Sequence, residues 1–207
     1  MTKIKEINHQ IHLLFQQYGI KSLTMDDLAN KLGCSKKTLY IYYENRASLV
    51  HKVISQDLDE HLRELQAVFK LKKHPIEELF LHNKLDLEKL NSIHPSSLYD
   101  LKKYYPKTWA KFDQITKKKG YEFISNNLER GVKLGVYRKE IHVEILAKIL
   151  TEKFEIIFNQ AVFNSPSISF ATIYQELMSH YIYGIVNDSG KEYFEENKEK
   201  FMSNETN

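Results

Sequence analysis

The chain has 207 residues and a formal net charge of +3, a length that accommodates one large domain or two small ones. Its seven glycines and four prolines are few for this length, so the composition favours helices over strands. A single cysteine excludes an intrachain disulfide, and because no apolar run approaches the roughly 18 residues that span a bilayer, we expect a cytoplasmic protein with no membrane partner.

The small excess of positive charge lies near the N-terminus. Residues 1–50 contain seven Lys or Arg and four Asp or Glu, which leaves 23 of each sign in the rest of the chain. A few extra lysines usually form a solvated face. The asymmetry is therefore only supporting evidence for an anionic partner such as DNA.

The first predicted element is an amphipathic helix over residues 3–18, which Gly19 ends. Its apolar residues recur at spacings of three and four: Ile4, Ile7, Ile11, Leu14, Phe15 and Tyr18. Such a stripe needs a partner to cover it, and the two short helices that follow in the chain are suited to that role.

Residues 23–43 predict two short helices joined by a tight turn. Thr24 is suited to cap a helix that begins at Met25, and Gly33 supplies the left-handed backbone position that ends it. Ser35 is suited to cap a second helix that runs to about Tyr43. Of this second helix we expect Leu39, Tyr40 and Tyr43 to face inward and Lys36, Lys37, Thr38 and Tyr42 to face outward.

Two short helices joined by a turn that contains glycine form a helix-turn-helix, whose second helix enters the DNA major groove by its N-terminal end. In this chain that end is residues 35–38, SKKT. Asn45 is suited to cap the next helix, and Arg46 at its start can reach a phosphate. The stretch therefore predicts a DNA-binding surface.

The same stretch resembles the N-terminal signature of TetR-type transcriptional regulators. The resemblance lies in the type and spacing of Thr24, Leu28, Ala29, Gly33, Cys34, Ser35, Thr38, Leu39, Tyr40, Tyr42, Tyr43, Arg46 and Leu49. Lys37 stands where the family usually has glycine, Tyr42 and Tyr43 replace a His-Phe pair, and Arg46 replaces lysine. Each departure keeps or adds a polar or cationic group, so the resemblance implies DNA binding.

The predicted contacts to double-stranded DNA are Thr24, Ser35, Lys36, Lys37, Thr38, Tyr40, Tyr42 and Arg46. Plainer alternatives exist for several of them. Lys36 and Lys37 can be ordinary solvated lysines, and Tyr42 can be an aromatic residue half-buried in the N-terminal domain of residues 1–48, which we call the head. Thr38 can touch a base or lie at the rim of the contact.

The rest of the chain predicts further helices and no strand. A long fourth helix begins at Arg46 and continues to about Phe69, and a fifth begins at Pro75. After a turn at residues 91–97, Pro106 begins a helix that loosens near Gly120 and ends at Gly135. Two more helices are expected at about residues 142–163 and 169–187, and the family pattern has about nine helices in total. Residues 191–207 form a polar tail that frays at its end.

The last two predicted helices have wide apolar stripes, which usually pack against two partners. In TetR-type regulators the final two helices pair with their copies in a second subunit. The resemblance therefore implies a homodimer formed through residues 142–163 and 169–187. A symmetric dimer whose recognition helices lie about 34 Å apart, or a multiple of that distance, binds a palindromic site.

The resemblance also implies a cavity for a small molecule within the helical body, between the fourth, fifth, seventh and eighth helices. Aromatic residues concentrate in the middle of the chain, and an aromatic lining suits an apolar ligand. The predicted lining is Tyr99, Tyr104, Trp109, Phe112, Phe123 and Phe154. The alternative is that these aromatic side chains are plain core.

The sequence contains no motif of an enzyme or a cofactor site. G-x-S-x-G, a Gly-rich phosphate loop and H-E-x-x-H are all absent, and His9 and His12 have no evident carboxylate or thiol to complete a metal site. Glu152 and Glu155 lie three residues apart and can form an acid pair, but partners across an interface or a polar contact to ligand explain them more simply. We predict no catalytic residue, no metal and no cofactor.

The sequence thus predicts an all-α protein with a three-helix helix-turn-helix domain at residues 1–48, a larger helical ligand-binding and dimerisation domain at 49–190, and a tail at 191–207. The predicted function is a dimeric one-component transcriptional regulator, a repressor released from a palindromic operator by a small apolar ligand. The alternative is a helix-turn-helix DNA-binding protein with a closed body, which responds to a protein partner or to no ligand.

Overall fold

The computed structural model describes residues 2–94, 96–152 and 170–202. Ten helices lie in these ranges: α1 (Thr2–Tyr18), α2 (Met25–Lys31), α3 (Lys36–Tyr42), α4 (Arg46–Lys70), α5 (Pro75–Ser92), α6 (Ser97–Tyr104), α7 (Pro106–Lys133), α8 (Val143–Thr151), α9 (Phe170–Ile185) and α10 (Asp188–Met202). Within the same ranges an isolated antiparallel bridge joins Tyr137 and Val186, and no strand forms. The predicted all-α fold is confirmed.

Most predicted helices begin and end within a few residues of the observed ones, but α6 and α7 differ from expectation. Residues 97–104 form the separate short helix α6. Helix α7 is continuous through Gly120, so the predicted loosening there is wrong. A glycine inside a helix costs only about 1 kcal/mol, and the buried Phe123 and Ile124 on the next turn offset it.

The predicted polar tail contains α10. Phe194 is fully buried, and its ring stacks on that of Phe80 with 5.7 Å between centroids. Phe201 stacks on Phe80 as well, at 4.7 Å. Two phenylalanines thus hold a helix that is otherwise largely charged, and the end of the tail, where fraying is predicted, lies outside the described residues.

The chain divides into two compact units. The first contains Met1–Gln66 and Leu85–Thr116, and the second contains Ala67–Lys84 and Lys117–Asn207. Helices α4, α5 and α7 each contribute residues to both units. Among the described residues, no helix is both long enough and apolar enough to cross a bilayer.

The first unit has one apolar core, in which α1 covers α2 and α3 as predicted. Its buried members are Ile11, Phe15, Ile20, Leu23, Met25, Leu28, Ala29, Leu39, Tyr43, Leu49, Val50, Val53 and Leu101. Each large aliphatic side chain removed from water contributes roughly 1.5–3 kcal/mol to stability. The core of the head therefore includes side chains from α4 and α6 that lie beyond residue 48.

The second unit contains a buried polar network that joins the start of α5 to the end of α7. Arg130 donates to Glu78 at 2.6 Å, and Asn127 donates to the other carboxylate oxygen of Glu78 at 3.1 Å and to the Pro75 carbonyl at 2.9 Å. The Tyr137 hydroxyl donates to Asn127 Oδ1 at 3.0 Å. Burial raises the pKa of Glu78, and the hydrogen bond from Asn127 and the charge of Arg130 oppose that rise.

Candidate nucleic-acid interface

Helix α2 begins with a complete capping box. The Asp27 amide donates to Thr24 Oγ1 at 3.2 Å, and the Thr24 amide donates to Asp27 Oδ2 at 2.8 Å. The hydrogen bonds from Thr24 lower the pKa of Asp27. Thr24 therefore caps α2 as predicted.

The turn between α2 and α3 is formed with Gly33 and Ser35 in the roles that the sequence predicts. Gly33 has φ +64°, the left-handed conformation that L side chains rarely adopt. Ser35 caps α3, because its hydroxyl accepts from the Thr38 amide at 3.0 Å and lies 2.8 Å from the Thr38 hydroxyl. The helix-turn-helix backbone is therefore set by local capping and by one glycine.

Helix α3 presents a different set of side chains to solvent from the one expected. Leu39 and Tyr43 are buried as predicted, but Tyr40 is 45% exposed, so its predicted inward orientation is wrong. Leu39 and Tyr43 are four residues apart and share a face, whereas Tyr40 lies about 100° further around the helix. Tyr42 is half-buried against the core, with its ring edge-on to that of Tyr43.

The two lysines at the start of α3 are both exposed but differ in charge compensation. Lys36 Nζ lies 2.8 Å from Asp26 Oδ2, and this hydrogen bond raises the pKa of Lys36. Lys37 forms no ion pair within the described ranges. Lys36 must therefore exchange Asp26 for a phosphate in order to bind DNA, whereas Lys37 is already available.

Arg46 contacts its own chain. Its guanidinium donates to the Ile20 carbonyl and lies 5.8 Å from the centre of the Phe15 ring. Its Nη1 is buried and has no hydrogen-bond partner among the described residues. Asn45 caps α4, since its side-chain oxygen accepts from the Ser48 amide at 2.9 Å. Arg46 thus fixes the loop before α2, and its predicted phosphate contact stays a prediction.

A buried polar chain that the sequence analysis missed holds α3 in place. The Tyr43 hydroxyl donates to Asn8 Oδ1 at 2.6 Å, and Asn8 Nδ2 donates to Gln56 Oε1 at 2.8 Å. Burial raises the pKa of Tyr43 to about 12. The available signal was Asn8 itself, a polar residue between Ile7 and Ile11 on the apolar side of α1.

The predicted ligand-lining residues are dispersed among the described residues. Tyr99 and Tyr104 are exposed on α6, and Trp109 packs against the core of the first unit and stacks on Phe112. Phe123 belongs to the second unit, where it stacks on His82 at 4.0 Å. Phe154 lies outside the described residues. The ligand lining therefore stays a prediction.

An open surface depression of about 540 Å³ lies in the second unit. Its lining mixes polar and apolar side chains: Tyr121, Ser125, Glu129, Ile141, His142, Val143 and Glu144. Of the proposed acid pair, Glu152 lies 2.8 Å from Lys117 Nζ, and Glu155 is outside the described residues.

His12 has a carboxylate partner that the sequence did not reveal. Its Nε2 lies 3.2 Å from Asp57 Oδ1, which also accepts from Lys89. Burial lowers the pKa of His12, the charge of Asp57 opposes that change, and those of Lys89 and His9 add to it. In the part of the chain that the structure describes, no group of three or more His, Cys, Asp or Glu side chains is arranged to hold a metal ion.

Comparison with known proteins identifies relatives of both the head and the whole fold. Residues 11–53 match the family described as bacterial regulatory proteins, tetR family. An HTH-type transcriptional regulator of Bacillus subtilis, YvaF, described as uncharacterized, is 32% identical over 119 residues, which are 55% of this chain and 60% of that protein. The chain thus spans about three fifths of the length of that relative.

Two solved structures share the fold over nearly their whole length. A transcriptional regulator from Cytophaga hutchinsonii has a TM-score of 0.71 and 17% identity, covering 90% of this chain and all of that one. FadR from Bacillus subtilis, solved in complex with stearoyl-CoA, has a TM-score of 0.64 and 13% identity, covering 88% of this chain and 99% of that one. The helix-turn-helix at residues 25–42 thus lies in a segment that matches the tetR family of bacterial regulatory proteins, and the chain shares the fold of these solved transcriptional regulators.

Proposed function

We propose that the protein is a homodimeric repressor that binds a palindromic operator in the cytoplasm and leaves it when a small apolar ligand binds the helical body. The observation that carries the proposal is the exposed N-terminal turn of α3, which presents polar and cationic groups on a head with a buried apolar core. A helix packed against such a core can position its side chains for the major groove.

The α3 side chains divide into two kinds of contact. Lys36 and Lys37 supply the positive charge that phosphates attract, which sets affinity and its dependence on salt. Tyr40 and Thr38 carry hydroxyl groups on the same turn, where they can donate to base edges or phosphates. Thr24, Ser35 and Tyr42 complete the proposed interface around this turn.

Dimerisation is supported by the apolar surface of α8. Ile145 and Ile149 are four residues apart and are 50% and 57% exposed, so they form an apolar stripe that water would otherwise contact. One head alone provides less than the roughly 1,000–2,500 Å² of protein surface that specific DNA complexes bury. We therefore propose a dimer interface at residues 142–163 and 169–187, of which 153–163 and 169 lie outside the described residues.

The class of effector is proposed from a protein of the same fold. FadR of Bacillus subtilis shares this fold and was solved with stearoyl-CoA, so an apolar acyl chain is the first ligand class to test. To weaken DNA binding a hundredfold, the ligand needs to favour the DNA-incompetent state by about 2.7 kcal/mol.

DNA binding is tested by selecting duplexes from a random pool with the full-length protein and measuring affinity at two salt concentrations. Lys37→Gln and Lys36→Gln should each weaken binding about threefold to tenfold and lower the salt dependence, because each removes one cation that a phosphate attracts. Lys133→Gln, an exposed change in the second unit with the same loss of charge, is the matched control. Wild-type affinity in both α3 variants would exclude α3 as the DNA-reading element.

Dimerisation and release are tested separately. Sedimentation should give about 49 kDa, twice the 24.5 kDa of one chain, and Ile145→Lys with Ile149→Lys should give the monomer. Stearoyl-CoA and shorter acyl-CoA esters are then titrated into the protein–DNA complex. Release by none of them, with DNA binding intact, would favour the alternative, a closed body that responds to a protein partner or to no ligand.

A further inference from the structure

A surface of lysines and tyrosines lies on α6 and the loop before α2, both in the first unit. Lys21 Nζ donates to the Tyr104 hydroxyl at 2.6 Å and lies 4.2 Å from the centre of its ring. Lys103 Nζ donates to the Tyr99 hydroxyl at 2.7 Å and lies 5.5 Å from the centre of the Tyr104 ring. Two ammonium groups thus lie beside one exposed ring. Together with Lys102, these residues are named the α6 basic surface.

The positive charge of this surface is not compensated. Several lysines elsewhere in the chain lie beside carboxylates, as Lys119 does beside Glu122 at 2.7 Å and Lys148 beside Glu144 at 2.6 Å. No such ion pair within the described ranges involves the three lysines of the α6 basic surface. Tyrosine hydroxyls and rings orient an ammonium group but do not neutralise it.

The carboxylate on α6 is occupied by other donors. Asp100 is buried, and its Oδ2 accepts from the Lys21 amide at 3.1 Å and from the Ser96 hydroxyl at 3.2 Å. Lys102 Nζ lies 5.8 Å from the centre of the Trp109 ring, so it too is held by an aromatic group. Lysines ordered in this way lose less side-chain freedom when they bind an anion.

The α6 basic surface is continuous with the helix-turn-helix. The hydrogen bond between the Lys21 amide and Asp100 joins the loop to α6, and a side chain at Gly19 would lie 2.9 Å from Ser96 Oγ. Lys21 precedes Thr24, the cap of α2, by three residues, a distance of at most about 11 Å along the chain. The surface therefore adjoins the loop that leads into α2.

We propose that the α6 basic surface binds the phosphate backbone of DNA that flanks the operator, outside the base pairs that α3 covers. The proposal rests on the proposed DNA-binding function. Beside a DNA-binding domain, the anions that lysines without an ion-pair partner meet are the phosphates of DNA. Contacts between lysines and phosphates add affinity but do not distinguish base sequences. Continuity with the helix-turn-helix favours DNA over an anionic membrane as the partner.

The test compares two duplexes that contain the selected site, one of 40 base pairs and one trimmed to the site itself. The variant is Lys102→Gln with Lys103→Gln, and the matched control is Lys133→Gln with Lys139→Gln, two exposed lysines of the second unit. On the long duplex the α6 variant should bind about fivefold to tenfold more weakly. Its plot of log affinity against log salt should be shallower by about 0.9 for each phosphate that the variant no longer neutralises. On the trimmed duplex it should bind like wild type.

Each outcome decides the proposal. If the α6 variant and the control bind the long duplex equally while Lys36→Gln weakens binding, the inference is overturned and the proposed function stands. If wild type binds neither duplex, the proposed function fails and the inference fails with it. If the α6 variant loses binding to phosphatidylglycerol vesicles but keeps wild-type affinity for the long duplex, the surface serves a membrane and the inference is overturned.

Discussion

Replacing Tyr43 by phenylalanine tests whether the head is held by a polar chain as well as by its apolar core. The hydroxyl of Tyr43 is buried and donates to Asn8 Oδ1 at 2.6 Å, and Asn8 in turn donates to Gln56 at 2.8 Å. These residues lie on α1 and α4 and join both helices to the end of α3. Without the hydroxyl, Asn8 Oδ1 has no donor among the described residues.

The loss of stability expected for Tyr43→Phe follows from the burial of Asn8. Leaving a buried acceptor without a donor costs about 1–3 kcal/mol. Asn8 is only 6% exposed, so water replaces the hydroxyl poorly and the loss should be about 2 kcal/mol. Phenylalanine keeps the ring, so the change creates almost no cavity.

Urea unfolding followed by circular dichroism, with amide exchange of α3, measures the free energy of unfolding. Tyr40→Phe is the matched control, because it removes the same atom from the same helix at a position that is 45% exposed, and it should change stability by less than about 0.5 kcal/mol. Equal losses in the two variants, or no loss in Tyr43→Phe, would refute the role given to the polar chain.

The same variant carries a pH signature. Burial raises the pKa of Tyr43 to about 12 in the folded protein, against about 10 in an unfolded chain. The folded state therefore holds the hydroxyl proton more tightly than the unfolded chain does. The stabilisation that results is complete below pH 10 and is lost as pH rises from about 10 to 12. The stability difference between wild type and Tyr43→Phe should narrow over that window.

Three further sites and one ion pair test other parts of the fold. Gly131→Ala should destabilise the chain by more than about 2 kcal/mol in urea unfolding, because the added Cβ would lie 2.0 Å from the Tyr137 ring. Gly120→Ala in the same helix should stabilise it by about 0.5–1 kcal/mol, since the added Cβ meets only an ordinary contact. Asp26→Asn should tighten DNA binding and steepen its salt dependence, because it frees the α3 lysine beside it; weaker binding would contradict this. Arg46→Ala should cost about 1–2 kcal/mol of stability by releasing the loop carbonyl, and unchanged unfolding with weaker DNA binding would show a phosphate contact instead.

The parts of the fold that sequence reasoning predicted best are those with local causes. Thr24, Ser35 and Asn45 cap helices through hydrogen bonds to amides three residues away, so the sequence contains both partners within one turn. Pro75 and Pro106 begin α5 and α7 as predicted, because proline has no amide to leave unpaired at the first helical position.

The parts that sequence reasoning missed depend on partners far apart in the chain. Tyr43 and Asn8 are 35 residues apart, and Arg46 and Ile20 are 26 apart. No periodicity indicates such pairs. Phe194 was likewise missed, because α10 is mostly charged and its stacking partner Phe80 lies on α5.

The sequence predicted the kind of candidate site more fully than it predicted the contacts of the individual side chains. The helix-turn-helix, its caps and its exposed lysines follow from the sequence, but the pairing of Lys36 with Asp26 and the exposure of Tyr40 do not. For Tyr40 the apolar character of an aromatic ring suggested burial, whereas the helical register, fixed by Leu39 and Tyr43, turns it outward.

The composition of the apolar core limits how the head can be joined to the body of another protein. Leu49, Val50, Val53 and Leu101 belong to the same buried cluster as the helix-turn-helix, so cutting the chain after residue 48 would strip the head of four apolar side chains. At roughly 1.5–3 kcal/mol each, that loss rivals the roughly 5–15 kcal/mol that holds a small domain together. A hybrid sensor made by grafting this head onto a foreign body must therefore carry over the first turns of α4 and supply a substitute for Leu101.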